Sequence, residues 1–117
     1  DELELIMPRL EVFAASGPFL QQNECQLKLV YIQALKAFHH KDFSTTIDKC
    51  NWVLNNYYME FDWLRGFAHL LRGKSYDILV KRDLAIKDYK EVLKMDEYYP
   101  EVEEAEKLLK EPYSYTN

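Results

Sequence analysis

The sequence predicts an all-α fold, an antiparallel array of helix-turn-helix units with about five to six helices. Three observations predict it. Prolines stand at 8, 18, 100 and 112, so 81 consecutive residues lack one, and that stretch holds only Gly66 and Gly73. An all-β domain of this size needs many turns and more Gly and Pro. The apolar residues recur at helical spacing rather than alternating. Finally, the chain resembles itself at an offset of 39 residues.

Each element follows in order. In residues 1–22, Leu3, Leu5, Ile6, Leu10, Val12 and Phe13 suggest a helical segment interrupted at Pro8. Ser16-Gly17-Pro18 is a break, and the next helix starts at Pro18 or after Asn23, whose side chain suits an N-cap. From 27 to 38 the residues Leu27, Leu29, Val30, Ile32, Ala34, Leu35, Ala37 and Phe38 form a wide apolar face. His39-His40-Lys41-Asp42 breaks it. Phe43, Ile47, Cys50, Val53 and Leu54 share one face of a second helix that ends at Asn55-Asn56. A third helix is expected over about 62–79, with Leu64, Phe67, Leu70, Leu71, Tyr76, Ile78 and Leu79. A fourth is expected over about 82–95, with Ala85, Ile86, Tyr89, Val92 and Leu93. Pro100 suits the first turn of a fifth, because its missing N–H had no helical partner there. Val102, Ala105, Leu108 and Leu109 are its stripe, and Pro112 stops it.

At the 39-residue offset, Ile47 falls on Ile86, Cys50 on Tyr89, Val53 on Val92 and Leu54 on Leu93. The preceding helices coincide too, Ala34 on Gly73 and Ala37 on Tyr76. Small residues meet small and core meets core, the pattern of a helical repeat array. Paired helices approach closely where one side chain is small, so Ala34, Gly73 and Ala85 are read as contact positions. A mid-helix glycine costs about 1 kcal/mol relative to alanine, so Gly73 needs a packing reason. Tyr76 and Tyr89 are expected to fill the space around it.

These residues resemble the tetratricopeptide repeats. The unit from 66 to 99 is 34 residues long, the family's period, with Gly73, Tyr76, Ala85, Tyr89 and Val92-Leu93 at the family's spacings. The unit starting at Leu27 is a degenerate match. Two features depart from the pattern. Glu97 stands where the family places a proline, and Lys41 and Val80 replace the usual glycine between paired helices. On this reading the chain divides into an N-terminal helical segment (1–22), a degenerate repeat (24–57), a second repeat (62–99), a capping helix (100–111) and a tail (112–117).

The resemblance implies a TPR-like α-solenoid acting as a non-catalytic protein–protein interaction module. Its first helices would line a concave groove carrying Lys28, Tyr31, Leu35, Phe38 and His39 from one repeat. The other repeat would add Phe67, Leu70, Lys74 and Asp77. Such a groove would take a peptide or a helix, although in so short an array the N-terminal segment or a second copy could cover several of these positions. Some family members hold chaperone C-terminal carboxylates through Lys, Asn and Arg. The matching positions here are Tyr31, Leu35, Phe67 and Leu71, so no such ligand is expected. Pro112 and the polar PYSYTN tail read as an end, so the expectation is the last part of a larger protein. A homodimerisation domain, or an accessory domain of an enzyme from the same gene, is the alternative.

Other chemistries find little support. The net charge is −5, from 15 basic and 20 acidic residues, which implies no surface for nucleic acid or anionic lipid. No apolar run approaches the roughly 20 residues of a membrane span. His39, His40 and His69 with Cys25 and Cys50 lack metal-ligand spacing, so no metal or cofactor is expected. The two cysteines are placed too far apart along neighbouring helices for a disulfide. There is no Gly-x-Ser-x-Gly elbow and no phosphate-binding loop, so no catalytic residue is assigned. The whole net charge lies between residues 96 and 111, with seven acids and two lysines, and thirteen of each sign elsewhere. A soluble cap explains it, early acids complementing the helix dipole, and a partner-binding acidic patch is the alternative.

Overall fold

The computed structural model describes residues 19–57, 62–96 and 99–115. Five helices follow one another: α1 (Phe19–His39), α2 (Phe43–Asn56), α3 (Asp62–Ile78), α4 (Arg82–Val92) and α5 (Pro100–Lys110). No strand occurs among the described residues. The expected helical segment interrupted at Pro8 lies outside them. α1 runs through Asn23, so that residue is not its cap. α4 ends at Val92, three residues short of expectation.

Local sequence explains where helices begin and end. Asp42 caps α2, its Oδ1 accepting from the Thr45 N–H at 3.2 Å. Hydrogen bonding from the Thr45 side chain first, and then from its backbone N–H, holds the Asp42 carboxyl below the usual carboxylate range. α5 starts with Pro100, carries Glu101 and Glu103 in its first turn and Lys107 and Lys110 in its last. Those charges complement the helix dipole at both ends.

The 39-residue repeat is visible in the backbone. α1 and α3 end in the same six-residue wrap. Asp42 N–H bonds the Ala37 carbonyl at 2.9 Å and Lys41 N–H bonds Phe38 at 3.0 Å. One repeat later, Lys81 N–H bonds Tyr76 at 2.8 Å and Val80 N–H bonds Asp77 at 3.0 Å. This wrap needs a left-handed residue, normally glycine. Here Lys41 has φ 63° and Val80 φ 60°. A β-branched residue with positive φ is strained by roughly 1–2 kcal/mol. Val80 is also 89% exposed, so its side chain returns little packing. Val80→Gly is therefore expected to raise stability by about 1 kcal/mol, read as a higher midpoint in urea unfolding.

Neighbouring helices pack in sequence, α1 on α2, α2 on α3, α3 on α4 and α4 on α5. Beyond those pairs, α1 touches α3 and α3 touches α5, whereas α2 and α4 do not meet. The odd-numbered helices thus share one continuous face. Two apolar clusters lie in succession along the stack. Leu27, Val30, Ala34, Phe38, Cys50, Val53, Leu64, Ala68 and Leu71 form the first. Leu70, Ala85, Tyr89, Val92, Met95, Val102 and Ala105 form the second. Repeat-equivalent positions are both buried at 34 and 73, 50 and 89, and 53 and 92.

Two buried carboxylates tie the helices together. The Asp88 residue is 2% exposed. It accepts from Arg72 Nε at 2.9 Å and Nη2 at 2.6 Å, and lies 2.7 Å from His69 Nδ1. Arg72 Nη1 donates on to Asn51 Oδ1 at 2.7 Å, so α2, α3 and α4 meet on one guanidinium. The second carboxylate is Asp77, whose side chain is 1% exposed. It accepts from Arg82 Nη1 at 2.9 Å, from the Tyr89 hydroxyl at 2.7 Å and from the Tyr113 N–H at 3.0 Å. Arg82 also donates to the Leu108 and Leu109 carbonyls at the end of α5, at 2.7 and 3.0 Å. Burial, then the bond to Asp77, pushes the Tyr89 hydroxyl well above the usual phenol range.

Candidate functional site

The face shared by α1, α3 and α5 gathers most of the residues that the sequence placed in a groove. Tyr31 and Leu35 come from α1, Phe67, Leu70 and Lys74 from α3. They line one groove of about 200 Å³ together with Leu71, Pro100, Glu101 and Glu104. Helical spacing puts them there. Positions 31 and 35, and positions 67, 70, 71 and 74, recur at three and four residues along their helices. The Tyr31 and Phe67 rings lie 5.9 Å apart, tilted by 41°. Trp63 stands edge-on to Phe67 at 5.9 Å. Burial comes first in pushing the Tyr31 hydroxyl above the usual phenol range, with the thiol of Cys50 and the carboxylates of Glu101 and Glu104 adding to it. Lys74 reaches across the groove to Glu104 as an ion pair.

The other predicted positions lie elsewhere. Lys28 pairs along its own helix with Glu24 at 2.8 Å. Phe38 is buried and His39 exposed at the end of α1. Asp77 is turned into the protein as the hub described above, and its lone pairs are taken. Positions 38 and 77 are repeat equivalents, and the same segment covers both, the non-helical stretch 112–115 after α5.

That segment folds back over the odd-helix face. The Tyr113 and Tyr115 rings sit 5.9 and 5.5 Å from the Phe38 ring. Tyr115 also stands edge-on to Phe43 at 5.8 Å. Its hydroxyl donates to the His39 carbonyl at 3.3 Å. Lys41 and Lys74 place their ammonium groups 5.5 and 5.3 Å from the Tyr115 and Tyr113 ring centres. The face therefore has two adjoining parts, one covered by residues 112–115 and one that no other described residue covers, between α1, α3 and α5. Sequence reading missed Tyr113 and Tyr115 because it took PYSYTN as a polar end. Two tyrosines in three residues were the available signal. It read Glu101 and Glu104 as charges of a soluble cap, with a partner-binding acidic patch as the alternative.

Cys50 lies close enough to Arg72 and Asp88 to feel their charges, and Asp88 also meets His69. Nucleophilic chemistry needs a thiolate. Burial pushes the Cys50 thiol up to about 12, and the residue is fully buried. As placed, this thiol is packing. No group of three His, Cys, Asp or Glu residues close enough for a metal occurs among the described residues. Among the described residues no helix is long and apolar enough to cross a membrane.

Among the described residues, fold and site together define an all-helical domain of five sequentially packed antiparallel helices with an aromatic groove on its odd-helix face. Comparison with protein-family models, curated proteins and solved structures finds no match to this chain.

Proposed function

We propose that this chain is a non-catalytic protein–protein interaction module, a TPR-like helical array whose α1–α3–α5 face holds a peptide segment of a partner. One observation carries the reading. The chain's own residues 112–115, which are not helical, already lie on that face and bond it with two aromatic rings, a hydroxyl and a backbone N–H. A surface that accepts such a segment in cis has the shape and the partners to accept one in trans. Aromatic side chains give large contact area and are enriched where binding energy concentrates. The adjoining groove adds apolar walls from Tyr31, Leu35, Phe67 and Leu70.

The tail competes for part of this face, so weakening it should strengthen binding. With Tyr113→Ala and Tyr115→Ala combined, peptides selected by display that overlap the tail position should bind about tenfold more tightly, if the tail is docked nine-tenths of the time. Isothermal titration on the wild-type chain and this variant measures the ratio. If selected peptides bind both chains alike and shift no amide of α1, α3 or α5 in an NMR titration, the reading is wrong. Sedimentation velocity run alongside tests the self-assembly alternative, which predicts a tight dimer.

A further inference from the structure

We infer that the open groove between α1, α3 and α5 is a subsite for a cationic side chain, a lysine or arginine of the bound peptide. The inference rests on the peptide-binding reading above and names its ligand chemistry. Glu101 lines the groove and is only 8% exposed. Its carboxylate has no hydrogen-bond or ion-pair partner among the described residues. A buried carboxylate is ordinarily paired. The position tolerates the charge because Glu101 is the second residue of α5, where the helix dipole favours an anion. That explains why the group persists without a partner among the described residues, none of which occupies its acceptor sites.

The rest of the groove fits a cation. Glu104 is engaged by Lys74, which balances one negative charge against one positive, so Glu101 supplies the net charge of the lining. Tyr31 and Phe67 both line the groove, their rings 5.9 Å apart and tilted by 41°, and aromatic rings attract ammonium and guanidinium groups. The apolar walls of Leu35 and Leu70 suit the methylene stem of lysine or arginine. An acidic side chain would meet an unpaired carboxylate instead. Position along the ligand also follows. Tyr31 and Phe38 are seven residues apart on α1, or roughly 10 Å at helical rise. An extended chain covers that distance in about three residues. The ligand therefore carries its Lys or Arg about three residues from the aromatic residue that takes the tail's place beside Phe38.

The test is a set of synthetic peptides, identical except at one position three residues from a tyrosine, made in both chain directions. That position is Lys, Arg, Gln or Glu, and each peptide is titrated into the full chain at low and high salt. The expected result is that the Lys and Arg peptides bind roughly tenfold or more tightly than the Gln peptide, as a charge-assisted bond requires. Their affinity should fall with salt while that of the Gln peptide does not. Glu101→Gln should bring the Lys, Arg and Gln peptides to one affinity, and circular dichroism checks that it folds. Were it not to fold, the salt dependence in the wild-type chain decides alone. Equal binding of all four peptides overturns the cation subsite while leaving the groove reading intact. Tighter binding of the Glu peptide overturns it in favour of Lys74 as the reader. No binding of any peptide overturns both.

Discussion

Asp88→Ala is expected to destabilise the domain by about 3 kcal/mol, the largest effect of any single polar substitution here. Asp88 is 2% exposed, accepts from both Nε and Nη2 of Arg72 and lies 2.7 Å from His69 Nδ1. Truncation leaves a half-buried guanidinium with Asn51 as its remaining hydrogen-bond partner. Breaking one side of a buried pair costs more than the pair contributes, because the stranded charge stays desolvated. Arg72 retains some access to water, which keeps the loss near the low end of that range. Replacing both partners by apolar residues of similar volume, Arg72→Met with Asp88→Leu, should recover part of the loss. Urea unfolding of the single and double variants measures both. A loss below about 0.5 kcal/mol for Asp88→Ala, the range of ordinary surface changes, would show that the network does not tie α2, α3 and α4 together.

Gly73→Leu is the second large effect, expected at about 3 kcal/mol through overpacking. A Cβ at position 73 would stand 2.5 Å from Tyr89 Cε1, 3.0 Å from Cδ1 and 3.2 Å from the Asp88 Cβ. Tyr89 cannot step aside, since it is fully buried and its hydroxyl is held on Asp77 at 2.7 Å. Even Gly73→Ala should lose stability, although alanine gains about 1 kcal/mol in helix propensity. Gly66 differs, because a Cβ there meets the flexible end of Met95. An unchanged melting temperature in Gly73→Leu would contradict the packing of α3 on α4 described here.

The helices were legible because each has one apolar face whose period survives in the sequence. The close approach of α3 and α4 was legible too, since a glycine at its helix position needs a reason. Position 77 shows where such reading stops. The repeat register puts it level with Phe38, and Tyr113 touches both residues. Burial at position 77 comes from Arg82, Tyr89 and Tyr113, which are distant in sequence and follow no period. The Asp88 network was invisible for the same reason. A buried carboxylate looks like any surface acid in a chain that is 30% charged. The left-handed residues at 41 and 80 were legible only as missing glycines. Their conformation shows that the wrap persists without them, at a cost in strain that Val80 bears most. Tyr113 and Tyr115 carry the same lesson toward function. They follow a helix-stopping proline, where local patterning ends, and only the fold brings them onto Phe38 and Phe43.

The face shared by α1, α3 and α5 is the central claim, and the chain supplies its own ligand for testing it. A peptide of residues 110–117 is titrated into the isotopically labelled chain carrying Tyr113→Ala and Tyr115→Ala, with backbone amide shifts followed by NMR. The expected result is saturable shifts centred on Phe38, His39, Phe43 and Asp77, abolished when both tyrosines of the peptide are alanine. Shifts scattered over α4 and over α2 beyond its first turn, or none at millimolar peptide, would contradict a peptide-binding face.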